Sequence, residues 1–333
     1  MAGAWIFEPK WDGFRALVFR DGDEVLIQSR DEKPLERYFP ELIEPLKSQL
    51  PARAVLDGEI VIAKNGGLDF EALQLRLHPA ASRVKLLSQQ IPASLVFFDL
   101  LCEDEQDLRD VPFEQRRHRL ESMLASASPP IHVTPATKDS TLATDWFRRF
   151  EGAGLDGVIA KSTTNMYEPN KRVMLKIKHQ RDCDCVVAGF RWYKKGDRDA
   201  VGSLLLGLFD ESGMLQHVGI CASFTETKRV DLVEYLEPYR ENAIAHHPWK
   251  AWAEHHRIPG GESRWSQGKD LSWEALRPEL VAEVEYDHMQ GSRFRHPTHF
   301  RRWRPDKRPS DCTYAQLEVV PPYELGHIFA SSL

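Results

Sequence analysis

Cysteine is scarce. Cys102, Cys183, Cys185, Cys221 and Cys312 are odd in number and scattered through 333 residues, which excludes a disulfide framework and predicts a reduced, cytosolic chain. Cys183-Asp184-Cys185 has the wrong spacing for a zinc knuckle and lacks a second pair, so it is predicted as strand alternation and not a metal site. The histidine pairs His246-His247 and His255-His256 have no matching cysteine or acid pattern, and a solvated segment is expected there. No apolar run approaches the ~18 residues that cross a bilayer. Met1-Ala2-Gly3 leads straight into an apolar strand, so no signal peptide and no membrane partner are expected. Neither G-x-x-x-x-G-K-[ST] nor G-x-G-x-x-G occurs, which excludes a P-loop and a Rossmann dinucleotide site. Repeats and low-complexity tracts are missing too. Net positive charge is also absent: the balance is −6, which taken alone argues against a nucleic-acid partner. Distribution matters more than the sum. Residues 291–309 hold Arg293, Arg295, Arg301, Arg302, Arg304, Lys307 and Arg308 against one acid, Asp306.

What is present is a globular composition, 42% hydrophobic and 28% charged, long enough for two domains. Glu8-Pro9-Lys10-Trp11-Asp12-Gly13-Phe14-Arg15 places a lysine on a tight connection between two apolar strands. Further strands end in charge: Gln28 before Ser29-Arg30, Leu56 before Asp57-Gly58-Glu59, Phe97-Phe98 before Asp99, and Asp156-Gly157 before Val158 to Lys161. Met174 to Lys178 alternates strictly, so Lys176 and Lys178 share one strand face. Helices are expected over 41–49, 70–78, 113–125 (with Arg116-Arg117 on its solvent side), 145–151 and 225–239. A loop is expected over 246–271 and a last strand over 314–320. Beyond about residue 182, short strands with glycine-rich turns have the texture of a small β-barrel of the oligonucleotide-binding type. Two domains follow, 1–181 and 182–333. Taken singly, most of these charges read as turns or solvated faces. Together Lys10, Arg15, Arg30, Asp57, Glu59, Asp99, Asp156, Lys161, Lys176 and Lys178 make a cleft of cations and acids suited to a nucleoside triphosphate with a divalent metal.

Lys10 to Arg15 resembles the K-x-D-G-x-R signature of covalent nucleotidyltransferases, specifically the ATP-dependent DNA ligases. That family's other motifs follow in order at Ser29-Arg30, Leu56 to Glu59, Phe97 to Asp99, Asp156 to Lys161, Leu175 to Lys178 and Arg304 to Lys307. Two positions depart from the pattern: Asp31-Glu32 replaces a frequent Asn-Gly, and Asp156 replaces the usual glutamate. The resemblance covers nearly the whole chain and is nearest to two-domain bacterial ligases of the LigC and LigD type. It implies an α+β fold, a nucleotidyltransferase domain of ATP-grasp-like antiparallel sheets with helices followed by an OB-fold barrel.

It also implies roles. Lys10 would attack the α-phosphate of ATP to form a lysyl-AMP, a step that needs an uncharged amine. Phe98 would stack on adenine, with Glu8 helping to position the base through its backbone. Arg15 and Glu59 would hold the ribose side, and Glu59 with Asp156 would engage Mg²⁺ or Mn²⁺. Lys176 and Lys178 would hold the α-phosphate, and Arg304, Asp306 and Lys307 would orient the leaving pyrophosphate. Arg30 would grip the 5′-phosphate of nicked double-stranded DNA, whose 3′-hydroxyl then displaces AMP. Lys194, Lys195, Arg293, Arg301 and Arg302 would touch the DNA backbone, although a solvated face accounts equally well for the Lys194-Lys195 pair. A monomeric, nucleoid-associated repair enzyme, with other repair proteins as partners, is the corresponding expectation. An RNA ligase, a capping-type guanylyltransferase and a non-catalytic nucleic-acid-binding relative are the competing readings.

Overall fold

A computed structural model describes residues 4–193, 198–245, 247–250 and 272–330. The chain divides into two compact units, residues 1–178 with 320–333, and residues 179–319.

Besides a short hairpin of Ala63–Lys64 with Gly67–Leu68, the first unit's strands are β1 (Trp5–Pro9), β2 (Phe14–Asp21), β3 (Glu24–Ser29), β4 (Arg53–Val61), β5 (Ser94–Glu103), β6 (Gln106–Asp107), β7 (Ile131–Val133), β8 (Val158–Ser162) and β9 (Met174–Ile177). Its helices are α1 (Ile43–Gln49), α2 (Phe70–Leu75), α3 (Ala81–Gln90), α4 (Phe113–Met123) and α5 (Ser140–Arg149). One sheet runs β3-β2-β4-β5-β6 with β7 beside β5, and a second, three-stranded sheet runs β1-β8-β9. Alternation sets the faces. In β4, Leu56 and Ile60 are fully buried in a core with Phe39, Leu46 and Phe97, so Asp57 and Glu59 turn the other way. A second core joins Trp11, Val61, Val96, Trp146, Phe150 and Val158 to Leu325 and Ile328 of the last helix, Leu325–Ala330. That apolar contact explains why residues beyond 319 belong to the first unit and not, as expected, to the second.

Helix α4 also departs from expectation. Arg116 and Arg117 are buried, 2% and 5% exposed. Amphipathic patterning assigns arginine to water, but here the helix lies against β5 and its two guanidiniums meet buried carboxylates.

The second unit contains β10 (Arg181–Trp192), β11 (Val201–Phe209), β12 (Leu215–Cys221), α6 (Glu226–Leu236), β13 (Glu274–Tyr286), β14 (Met289–Gln290), β15 (Arg293–Phe294) and β16 (His299–Trp303). Five strands form an antiparallel sheet in the order β12-β11-β10-β13-β16, around a core of Val186, Phe190, Leu206, Val218, Trp249 and Val284. The two edges touch at a single bridge, Cys221 with Thr298, so among the described residues no continuous ladder closes a barrel. The strand expected over 314–320 is a short 3-10 turn at Tyr314–Gln316. His247, expected in solvent, is buried: its Nε2 lies 2.7 Å from the Ala188 carbonyl oxygen, and its Nδ1 accepts from the Trp249 amide at 3.1 Å. Lys194, Lys195, His246, His255 and His256 lie outside the described residues. No described helix is long and apolar enough to cross a membrane.

Candidate active site

Lys10 follows the end of β1, and backbone bonds fix it there. Its amide donates to the Gly157 carbonyl at 2.9 Å, and its carbonyl accepts from the Asp156 amide at 2.9 Å. Two glycines let adjoining strands pack closely beside this stretch. A Cβ on Gly13 would lie 2.2 Å from the Ile60 carbonyl oxygen. On Gly157, which has φ +127, it would lie 2.1 Å from that of Ile177. The same backbone pairing brings the Asp156 carboxylate into a direct ion pair with the Lys10 amine, with the Lys178 amine 3.6 Å from that carboxylate.

Lys10 lines a cavity of about 220 Å³ together with Glu8, Arg15, Arg30, Glu59, Phe98 and Lys176. The register explains the gathering, since Arg15 faces Glu59 across β2–β4 and Ile159 faces Lys176 across β8–β9. Arg15 grips Asp57 through Nε–Oδ1 at 3.0 Å and Nη2–Oδ2 at 2.5 Å, and also donates to the Tyr167 hydroxyl at 3.1 Å. Tyr167 in turn donates to Asp57 at 3.1 Å. Burial pushes the Asp57 carboxyl up, opposed by Arg15. The Tyr167 phenol rises to about 12 through burial, with Asp57 adding. Burial likewise lifts the Glu59 carboxyl to about 8, opposed by Lys10 and reinforced by Asp57 and Asp12. Lys176 is held below its ordinary value by burial and then by Lys10 and Arg30, so the site discourages added positive charge.

Glu8 uses its side chain as well as its backbone. Its carboxylate takes Arg117 Nη1 at 3.0 Å and Lys161 Nζ at 2.7 Å. Lys161 sits over the rings of Phe98 and Phe113, 4.7 and 4.5 Å from the centroids, and donates to the Phe98 carbonyl at 3.2 Å. Asp99 lines a neighbouring cavity with Asp57, Phe98, Lys161 and Tyr167, and Arg116 holds it from Nε at 2.8 Å and from Nη2 at 2.9 Å. Sequence reasoning missed the groups that support these side chains, Tyr167 on Arg15 and Asp57 and Arg117 on Glu8, since neither carries a local motif.

Arg30 apart, the described cations predicted to meet pyrophosphate and DNA lie in the second unit, where most are matched by acids. Arg304 pairs with Asp306 at 2.8 Å and with Asp184 and Glu283 at 3.0 Å each. Lys307 lies 3.6 Å from Asp184, Arg302 pairs with Glu283 at 2.8 Å, and Arg301 pairs with Glu285. The Arg304 hydrogen bond lowers the Asp306 carboxyl to about 2. Arg293 instead donates to His217 Nδ1 at 3.0 Å. Burial, then Arg293, pushes His217 down to about 3, so the ring is neutral and able to accept.

One cavity thus gathers a lysine amine with cations and carboxylates, the residue types that a nucleotidyltransferase uses. Family models agree over both parts of the chain: the ATP dependent DNA ligase domain matches residues 1–178, and the ATP dependent DNA ligase C terminal region matches 197–307. The chain belongs to the ATP-dependent DNA ligase family, and its activity is that of an ATP-using DNA ligase. It is similar to DNA ligase C2 of Mycolicibacterium smegmatis, 54% identical over 95% of this chain and 90% of the relative. DNA ligase C of Mycobacterium tuberculosis is 53% identical over 94% and 89%. A solved Lig E DNA ligase shares the fold, with TM-score 0.55 and 16% identity over 91% of this chain and 93% of that one.

Proposed function

We propose that Lys10 is the nucleophile of the ligase reaction. Its nitrogen attacks the α-phosphate of ATP, the N–P bond forms, pyrophosphate leaves and the amine gives up a proton. The supporting observation is the Lys10 side chain on the cavity wall, tied to Asp156 and flanked by Lys176 and Arg15. Asp156 orients the amine. Arg15, steered by Asp57 and Tyr167, and Lys176 are aimed where phosphate and ribose oxygens would lie, and Phe98 offers its ring to adenine. Arg304, Asp306 and Lys307 orient the pyrophosphate. In the second step the 5′-phosphate of nicked DNA, gripped by Arg30, displaces Lys10 and takes the AMP. In the third the 3′-hydroxyl attacks that phosphate and AMP departs.

Glu59 and Asp156 are hard oxygen donors beside Lys10, and a carboxyl lifted to about 8 by burial is one that a cation would stabilise in its ionised form. These residues fit Mg²⁺ or Mn²⁺, which when bound would supply charge neutralisation for the phosphates.

The second unit is read as an OB-type fold from its curled five-stranded sheet, whose edges meet at Cys221 and Thr298. Arg293, Arg301 and Arg302, with Lys194 and Lys195, are its proposed backbone contacts to nicked DNA, independent of sequence. Five free cysteines suit a reducing compartment. Repair is the proposed setting, since relatives 29% identical are the non-homologous end joining proteins LigD.

The test is intact mass after incubation with ATP and Mg²⁺ or Mn²⁺. The wild type gains one AMP and Lys10→Ala gains none. Absence of the increment in the wild type removes the reading, and an increment from GTP instead of ATP favours a capping-type enzyme.

A further inference from the structure

Arg117 has no part in the chemistry above, yet it is a buried cation wired to the segment that carries Lys10. Its guanidinium is spent on three acceptors from three parts of the chain. Nε donates to Glu121 Oε1 at 2.7 Å, Nη1 to Glu8 Oε1 at 3.0 Å, and Nη2 to the Thr134 carbonyl at 2.5 Å. Thr134 is fully buried. Its amide donates to the Phe97 carbonyl at 2.9 Å, which fastens it to β5 beside Phe98. Its hydroxyl accepts from the Trp11 indole at 2.8 Å. Trp11 is 6% exposed and stacks on Phe329 of the last helix with centroids 5.4 Å apart.

Glu8 and Trp11 stand two residues before and one residue after Lys10. One arginine therefore holds both flanks of the nucleophile, directly through Glu8 and indirectly through Thr134 and Trp11. A buried arginine–glutamate pair is ordinarily a structural feature. Here the pair and its neighbour bracket a single reactive side chain, and displacing such a group by about 1 Å costs on the order of 100-fold in rate.

We propose that Arg117 is a positioning residue for Lys10: through Glu8 on one side and Thr134–Trp11 on the other, it fixes the 8–11 backbone so that the amine faces the nucleotide cavity. The proposal rests on Lys10 being the nucleophile.

Full-length Arg117→Lys, Arg117→Met and Thr134→Val proteins test it in two reactions. One is single-turnover transfer of label from α-labelled ATP to the protein, which needs the Lys10 amine. The other is sealing of a nick that already carries AMP on its 5′-phosphate, which breaks the phosphate–AMP bond without that amine. Arg117→Met is expected to lower the maximal charging rate about 100-fold, Arg117→Lys about 10-fold, and Thr134→Val, which keeps the carbonyl and loses only the hydroxyl, a few-fold. The KM for ATP and the sealing of the adenylated nick should stay within about threefold of wild type. If Arg117→Met does not fold, the other two variants decide. Charging and sealing that fall together overturn the proposal, because that is a general folding defect. Unchanged charging in a folded Arg117→Lys protein also overturns it. A wild type that takes up no AMP instead sinks the Lys10 reading itself, before any variant is compared.

Discussion

The two units handle charge in opposite ways. Among the described residues, the buried aspartate, glutamate, lysine and arginine side chains are Glu8, Asp57, Arg76, Asp99, Arg116, Arg117, Asp156 and Lys161, and all eight lie in the first unit. The buried polar side chains of the second are Ser203, His217, His247 and Thr298. Its arginines and acids lie instead on the sheet surface, as in the cross-strand pair Glu283 and Arg302 of β13 and β16. The proposed roles of the two units account for the difference. Charges taken out of water act strongly on a phosphate and need no reorganisation when it arrives, but each must be matched or it destabilises the fold. Surface pairs are weak and screened, so they can be exchanged for a DNA phosphate at little cost.

The contrast breaks most sharply at Arg116. Arg116→Ala leaves the Asp99 carboxylate buried without its bidentate partner and is expected to cost about 3–5 kcal/mol, read as a lower midpoint in urea unfolding. Survival of that variant at near wild-type stability would show that the first unit does not depend on matched buried charge.

Glu59 gives a smaller, pH-dependent effect. Its folded carboxyl titrates at about 8 against an ordinary 4.5. Between those values the folded chain keeps a proton that the unfolded chain has released, so stability falls as pH rises through the window, by at most about 1.4 kcal/mol per pH unit. Glu59→Gln should flatten that decline in a series of melts from pH 5 to 8. A parallel slope in both proteins would assign the decline to other groups.

The smallest effect is expected at Arg302 in the second unit. Arg302→Ala should move the melting midpoint by less than about 2 °C, while the dependence of log affinity for nicked DNA on log salt loses about one unit of slope. An unchanged slope would remove Arg302 from the DNA contact.

Part of the site was legible because its residues are local to strand ends. Lys10 to Arg15 and Asp156 to Lys161 each join a strand to a turn, whereas Asp57 to Glu59 and Asp99, expected at strand ends, lie inside β4 and β5. The structure gathers Lys10, Arg15, Arg30, Glu59, Phe98 and Lys176 around one cavity. Of the alternating pair, Lys176 lies in β9 and lines the cavity, whereas Lys178 falls just past the strand's end at Ile177, with its amine 3.6 Å from the Asp156 carboxylate. Less was legible in the second unit. The run from Arg293 to Arg308 read as a free basic strip, since Asp184, Glu283 and Glu285, which neutralise much of it, lie far away in sequence. Arg116 and Arg117 read as solvent-facing for a related reason: helical periodicity reports apolar residues and is silent about arginines destined for buried carboxylates.

By itself, then, the sequence determined the lysine proposed as nucleophile, the turn that presents it and the order of the charged motifs, because these depend on neighbours within a few residues. Tertiary structure alone decided which charges became pairs, that Asp156 would hold the amine, that Arg117 would bracket it, and that the last helix would join the first unit through Leu325 and Ile328. Those outcomes depend on partners tens to hundreds of residues apart, and only the folded sheets bring them within hydrogen-bonding distance.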